Sequence, residues 1–303
     1  MKDLVEIREL SRDFIEEILN TAKAFKEVLQ RDIKKVPTLR GKTAINLFFE
    51  PSTRTRTSFE LAEKRMSLDV LNFSVSTSSV VKGESLYDTL KTIEAYNVDY
   101  IVIRHSSSGA AKFVAGHTRA SVINAGDGTN EHPTQALLDA FSILEVKGRL
   151  DGLKIAIVGD IIHSRVARSN LYLLSKFDTE IRFLGPPTLL PIEPPDNVKV
   201  FYDLKEGIKD VDVVMLLRIQ LERQKGAFIP SLKEYATMWG LKPNILPYLK
   251  DDAIIMHPGP MNRGVEIATE IADSPKAIIL RQVTNGIAIR MAVIYSLTPG
   301  GSN

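Results

Sequence analysis

The sequence contains no cysteine, so neither a disulfide, a thiolate nucleophile nor a cysteine-ligated zinc can be built from it. A reducing cytoplasm is the expected compartment. No uninterrupted apolar run approaches the roughly 18 residues of a membrane span. The first residues, with Lys2, Asp3, Glu6, Arg8 and Glu9, are charged where a secretory leader is apolar, so no membrane association is expected. A charge excess is lacking as well: 39 Lys and Arg face 37 Asp and Glu, a formal charge of +2. That excludes the wide basic field of a nucleic-acid coat, and no nucleic-acid partner is expected. Gly 18 and Pro 15 are no excess, and no low-complexity tract or short repeat is visible, which excludes wholesale disorder. What remains is a globular composition, 44% hydrophobic, in 303 residues, enough for about two domains at roughly 150 residues each.

Residues 11–30 place Phe14, Ile15, Ile18, Leu19, Ala22, Phe25, Val28 and Leu29 at spacings of three and four behind Ser11, an amphipathic helix with its N-cap. Apolar runs then alternate with helical patterns. Strands are expected over 43–49, 70–75, 100–103 and 122–125, with helices near 53–66, 85–96 and 110–116. After a long helix at 134–147, a second series opens at 154–158 and continues near 180–184, 198–202, 212–217 and 253–256. Runs such as 213–217 lack in/out alternation, as in parallel strands covered on both faces. The expected fold is α/β, two doubly wound parallel-sheet domains joined by helices, over 1–135 and 148–282. A C-terminal helix near 283–303 is expected to pack back on the first domain. The proline-rich piece 185–195 reads as one surface loop.

The most informative segment runs from Phe48 through Glu50, Ser52, Thr53, Arg54, Thr55 and Arg56 to Glu60. A buried strand enters a hydroxyl-rich turn and leaves it as a helix, so unpaired N–H groups collect at the positive end of the helix dipole. Ser52, Thr53 and Thr55 add hydroxyl donors, and Arg54 adds a planar fork matched to phosphate. A capped helix with surface arginines is the competing reading; the density of donors favours phosphate. No Gly-x-x-x-x-Gly-Lys occurs, which sets nucleotide P-loops aside.

This segment resembles the signature of the aspartate/ornithine carbamoyltransferase family. The resemblance extends along the chain, through the strand ending in Arg104, the loop from Gly126 through Asp127, Gly128, Asn130, Glu131 and His132 to Gln135, and His257-Pro258-Gly259-Pro260. All fall at the ends of expected strands, where open α/β sheets bind ligands. The resemblance implies attack of an amine on the carbonyl carbon of carbamoyl phosphate, with phosphate leaving. Ser52, Thr53, Arg54, Thr55 and Arg104 would hold the phosphate, with Ser78 helping. Thr55, Arg104 and His132 would donate to the carbonyl oxygen. Gln135 and the backbone at Pro258 and Gly259, in the loop that ends at Pro260, would accept from the carbamoyl nitrogen. From the residues alone, His132 could also be a loop residue or a metal ligand beside Asp127 and Glu131. None of His105, His117, His163 and His257 lies at a usual ligand spacing, and neither a metal nor a cofactor is expected.

The acceptor amino acid is a separate question. Arg165 follows the strand at 154–158, and Arg218 with Gln220 follows the strand at 212–217. A dinucleotide site after Gly159 is weakly supported, because Gly-x-Gly-x-x-Gly is missing. Lys82, in the polar loop 78–85, reads as a surface lysine from the chain alone. The resemblance instead implies that Lys82 reaches from one subunit of a homotrimer into the next subunit's active site, so that sites lie at subunit borders. It also matches Arg165, Arg218 and Gln220 to the positions that hold the two carboxylates of L-aspartate. The charges agree: the two substrates bring about four negative charges against Arg54, Lys82, Arg104, Arg165 and Arg218. Ornithine would want a carboxylate near its ammonium, and the ornithine branch carries a cysteine in the loop where this chain has His257-Pro258-Gly259-Pro260. Aspartate is favoured, giving N-carbamoyl-L-aspartate in an early step of pyrimidine synthesis. The leaving phosphate serves as proton acceptor, without a dedicated protein base. Glu50 either bridges to Arg165 and Arg223 of the second domain, as the resemblance implies, or makes a local ion pair. Val81 stands where some relatives have a second lysine. Regulatory chains and dihydroorotase are further partners that the resemblance brings into view. A carbamoyltransferase for another amino acid, and a non-catalytic phosphate sensor on this fold, are the alternatives.

Overall fold

The computed structural model describes residues 1–74, 84–219 and 228–298. The chain divides into two compact units, one of Met1–Phe141 with Thr284–Asn303 and one of Ser142–Val283. In unit 1, β1 (Thr43–Phe48), β2 (Asp69–Ser74), β3 (Tyr100–His105) and β4 (Ser121–Asp127) form a parallel sheet in the order β2-β1-β3-β4. In unit 2, β5 (Lys154–Val158), β6 (Glu180–Leu184), β7 (Val198–Phe201), β8 (Val213–Leu216) and β9 (Ile254–Met256) form a second parallel sheet, ordered β7-β6-β5-β8-β9.

Helices connect most of these strands, as crossovers in parallel sheets usually do; β6 and β7 are joined instead by a segment with a single 3-10 turn. The helices are α1 (Arg12–Leu29), α2 (Thr53–Arg65), α3 (Leu86–Glu94), α4 (Ala110–Ala115), α5 (Pro133–Lys147), α6 (Arg165–Leu174), α7 (Leu204–Ile208), α8 (Leu232–Met238), α9 (Thr269–Ala272) and α10 (Ile279–Ser296). Local chemistry sets the starts. The Ser11 hydroxyl accepts from Phe14 N ahead of α1, and Ser85 accepts from Asp88 N ahead of α3. Ile15, Ile18, Leu19 and Ala22 form the buried stripe of α1. Strands β1, β4 and β8 are buried almost throughout, so neither face is left to water.

Two expectations need correction. The segment 185–195 is not simply a surface loop: it contains a short 3-10 turn at Pro187–Leu189, and Leu189 and Leu190 are buried in the unit 2 core. Two adjacent leucines outweigh the surrounding prolines, and Leu189 O accepts from Ile161 N and Ile162 N. The C-terminal helix begins at Ile279, ahead of the expected 283.

The strand orders place the candidate residues. In unit 1 the order reverses between β1 and β3; in unit 2 it reverses between β5 and β8. At such a switch point the connections leave in opposite directions and open a crevice beyond the carboxyl ends of the strands. The turn before α2 and Arg104 flank the first switch point. The loop before Arg165 and the segment carrying Arg218 flank the second.

Candidate active site

In unit 1, Phe49 N donates to Arg104 O at 2.8 Å, carrying the β1–β3 pairing past the end of β1. The chain then turns through Pro51 and Ser52 into α2. Ser52 occupies the N-cap position, but its side chain makes no capping bond, and the first turn holds no acidic residue. The first N–H groups of α2, beside Thr53, Arg54 and Thr55, are therefore uncompensated by a capping side chain. Arg104 is mostly buried. Its Nε lies 3.4 Å from Glu50 Oε2, and its guanidinium donates to Ala125 O at 3.2 Å. This is the local ion pair of Glu50 within unit 1. The neighbouring His105 has its pKa lowered by burial, and its Nδ1 accepts from Ser107 N.

The 126–135 loop is held by carboxylates. Asp127, fully buried, accepts from Gly109 N at 2.7 Å, Asn124 Nδ2 at 2.8 Å and Glu131 N at 3.1 Å. Glu131 accepts from Ile7 N at 2.8 Å, which ties the N-terminal segment to this loop. Both carboxylates thus face N–H donors. Gly128 has φ +51, and an added Cβ would stand 2.5 Å from Ser108 Oγ and 2.7 Å from Ser108 N, so the turn requires glycine. This framework places buried His132 immediately ahead of α5 and Gln135 in its first turn. Gln135 Nε2 donates to Asp139 Oδ1 at 3.0 Å. Among the described residues, no group of three His, Asp or Glu gathers as a metal site would require.

In unit 2, Leu217 N donates to Val158 O and Gly159 N to Leu184 O, both at 2.8 Å, fixing the strand ends on which the next residues stand. Asp160, buried, accepts from His163 Nδ1 at 2.8 Å and from His163 N at 3.2 Å. Ser164 Oγ caps α6 by accepting from Ala167 N, and Arg165 opens that helix with only 3% of its surface exposed. Arg218 follows β8 and is half-buried. In the loop after β9, His257 N donates to Gln282 Oε1 and Gly259 N to His257 Nδ1; the Gly259–Pro260 peptide is cis. Tyr235 is buried, and burial together with the Glu266 and Asp160 carboxylates pushes its phenol pKa up, so it stays protonated.

Glu266 was not among the residues expected from sequence. Its Oε1 accepts from Ile219 N at 2.9 Å and Asn262 Nδ2 at 2.8 Å, and its Oε2 accepts from Asn262 N at 2.7 Å. One buried carboxylate therefore joins the residue after Arg218 to the 257–262 loop. Its only sequence signal is an acid between the apolar residues Val265 and Ile267, shortly after a strand-end loop. Ser78, Lys82, Gln220 and Arg223 lie outside the described residues.

Unit 1 thus carries Ser52, Thr53, Arg54, Thr55, Arg104, His132 and Gln135 at the carboxyl end of β3 and at the starts of α2 and α5, on the carboxyl side of its sheet. Unit 2 carries Arg165 at the start of α6, and Arg218 and the 257–260 loop just after β8 and β9, on the carboxyl side of its own sheet. The chain matches the aspartate/ornithine carbamoyltransferase carbamoyl-P binding domain over residues 2–145 and the Asp/Orn binding domain of that family over 151–297; it belongs to the aspartate/ornithine carbamoyltransferase family. Among its relatives, the aspartate carbamoyltransferase catalytic subunit of Syntrophomonas wolfei is 60% identical over 302 residues, covering 99% of this chain and 96% of the relative. That of Sorangium cellulosum is 57% identical, covering 98% and 92%. Among solved structures, aspartate transcarbamoylase from Trypanosoma cruzi in complex with N-(phosphonacetyl)-L-aspartic acid has a TM-score of 0.90 at 31% identity, covering 97% of this chain and 95% of that one. The catalytic subunit of M. jannaschii aspartate transcarbamoylase has a TM-score of 0.85 at 38% identity, covering 98% of each.

Proposed function

We propose that the chain transfers the carbamoyl group of carbamoyl phosphate to the amine of L-aspartate, producing N-carbamoyl-L-aspartate and phosphate as an early step of pyrimidine synthesis. The observation that carries this reading is the match to aspartate carbamoyltransferase catalytic subunits at 57–60% identity over nearly the whole chain. The switch-point location of both cationic loop clusters supports it independently.

The residues divide the work by their chemistry. Ser52, Thr53, Arg54, Thr55 and Arg104 bind the phosphate, with Ser78 from a neighbouring subunit. Thr55, Arg104 and His132 donate to the carbonyl oxygen as it gains charge in the tetrahedral transition state. Gln135 uses its amide oxygen to accept from the carbamoyl NH2, joined by the backbone at Pro258, Gly259 and Pro260. Arg165, Arg218, Gln220 and Lys82 hold the two carboxylates of aspartate. The neutral amine forms the new C–N bond, the C–O bond to phosphate breaks, and the amine proton passes to a phosphate oxygen. Orientation carries much of the catalysis, since holding two reactants in place is worth about 7–11 kcal/mol.

The particle of this reading is a cytoplasmic homotrimer with Lys82 crossing each subunit border. Regulatory chains or dihydroorotase are the partners to look for. Purified protein supplied with carbamoyl phosphate and aspartate should release phosphate and carbamoyl aspartate in equal amounts. Transfer to ornithine at a comparable rate would overturn the acceptor assignment, and no transfer to any amino acid would favour the phosphate-sensing alternative.

A further inference from the structure

The middle of β1 carries a buried polar residue, Asn46, and the last part of α2 carries a buried acid, Glu63; neither is exposed at all. Asn46 Nδ2 donates to Glu63 Oε2 at 2.7 Å. The second acceptor on each side chain, Glu63 Oε1 and Asn46 Oδ1, has no hydrogen-bond partner among the described residues. A carboxylate in this place would be a buried charge supported by one hydrogen bond, beside an amide oxygen left unsatisfied. A single proton removes both faults. A carboxylic acid and a primary amide satisfy one another through two bonds, N–H to the acid carbonyl and O–H to the amide carbonyl.

We infer that Glu63 is a neutral carboxylic acid closing a two-bond ring with Asn46, and that this ring positions α2 on β1, the two elements that flank the 52–55 turn. The positioning role rests on reading that turn as the phosphate site; the ring does not. The surroundings favour the neutral form. β1 has no titratable residue, and β2, paired with it, has only Asp69 at its start. On α2 itself, Glu60 disfavours a second negative charge and Lys64 opposes it, but Lys64 is bonded to Glu60 at 2.6 Å. The 34–36 segment, with Lys34 and Lys35, meets α2 at Arg65, and α10 brings Arg290 against Ser58 and Phe59. Burial is the largest influence and pushes the Glu63 carboxyl up to about 7, with Glu60 adding to it.

The sign of the pH dependence follows. The folded protein keeps a proton that the unfolded chain releases above the ordinary value of 4.5. Stability from this group is therefore lost as pH rises from that value to about 7, and no further change comes from it above. Glu63→Gln preserves the ring at every pH, because an amide N–H replaces the acid O–H.

The test compares thermal midpoints of wild type, Glu63→Gln and Glu63→Met between pH 5 and 8.5, with carbamoyl phosphate KM and kcat across the same range. The wild-type midpoint should fall relative to Glu63→Gln up to about pH 7 and then run parallel to it. Wild-type KM should rise several-fold relative to the variant as pH passes through about 7, where the folded protein itself loses the proton, with kcat changing less. Parallel midpoints throughout would overturn the ring. Should Glu63→Gln fail to fold, Glu63→Met removes the titration together with both hydrogen bonds to Asn46, and a midpoint curve parallel to wild type would again overturn the ring. Diverging midpoints with a constant KM ratio would keep the ring and overturn the positioning role. Absence of carbamoyl transfer in wild type would sink the functional reading and the positioning role with it, while the midpoints still decide the ring.

Discussion

Asp139 accepts a hydrogen bond from Gln135 one turn earlier on α5, so the side-chain amide of Gln135 has its donor directed into the protein and its oxygen left as an acceptor. The orientation suits recognition of a carbamoyl NH2. Asp139 also faces Arg290, a fully buried guanidinium whose pKa burial lowers to about 10 while the Asp139 charge opposes that fall. Asp139→Asn should act on both neighbours. The new amide can pair with Gln135 in either orientation, and the Arg290 cation loses its counter-charge. A loss in carbamoyl phosphate kcat/KM of about 1 kcal/mol, roughly fivefold, is expected from one hydrogen bond. A lower thermal midpoint should accompany it, and steady-state kinetics with a melting curve check both. Unchanged kinetics would mean that Gln135 orientation is immaterial.

Glu266 separates positioning from contact. Arg218→Ala should weaken aspartate use by about 2–5 kcal/mol, the range for stripping one partner from a desolvated charge pair, with carbamoyl phosphate binding little altered. Glu266→Gln keeps one oxygen and turns the other into an N–H donor, so Ile219 N and Asn262 N, which donate to different oxygens of the carboxylate, can no longer both be satisfied, next to segments assigned to different substrates. It should weaken use of both, by about 1–3 kcal/mol for a buried donor left unsatisfied. Kinetics with each substrate varied in turn distinguish the patterns.

Gly128 and Gly148 make a controlled pair. Both have positive φ, but an added methyl at Gly128 collides with Ser108, whereas nothing lies within 4 Å at Gly148. Gly148→Ala should cost about 1 kcal/mol for backbone conformation alone. Gly128→Ala should cost a further 1–3 kcal/mol, roughly, from overpacking, and should lower activity because His132 shares that loop. Denaturant unfolding of the two variants measures the difference.

Lys82 can be assigned to a subunit by mixing. Arg54→Ala and Lys82→Ala proteins should each be nearly inactive, one without the phosphate fork and the other without the loop cation. Dissociated and reassembled together, they should regain activity, because a mixed trimer contains one border with both residues intact. Verified mixing without recovery would place Lys82 at its own chain's site and end the shared-site reading.

The sheets were legible because buried parallel strands are written as continuous apolar runs; β5 and β6 occupy the expected residues 154–158 and 180–184. The loops beyond them were legible too, since Arg104, Arg165 and Arg218 stand at or just after strand ends. The short helix α4 was expected near 110–116 and is found at Ala110–Ala115, but the short helices of unit 2 were not legible. In α8 the only fully buried side chain is Tyr235, and α7 has five residues, too few to show a helical period. Lone acids were equally opaque. Glu63, Asp139 and Glu266 each look like solvated positions in a local window, and their burial is decided by partners distant in sequence or by packing that no local pattern encodes.

The C-terminal residues that follow unit 2 supply part of the core of unit 1. Tyr295 meets Phe25 with ring centroids 5.9 Å apart, Asn285 accepts from Lys26, Arg290 reaches Ser58, and Thr298 pairs with Tyr100. Ala288, Ile289, Met291, Ala292, Val293 and Ile294 are buried along the same helix. The order of synthesis and the order of packing therefore disagree. A chain emerging from the ribosome through residue 283 has both sheets translated but leaves the apolar surface meant for α10 uncovered. That surface stays open for as long as unit 2 takes to be made, which at about 5–20 residues per second is of the order of ten seconds. During that interval the nascent first unit is a natural client for chaperones that shield apolar surface, and a ribosome stalled near this point would release a sticky, half-finished fold.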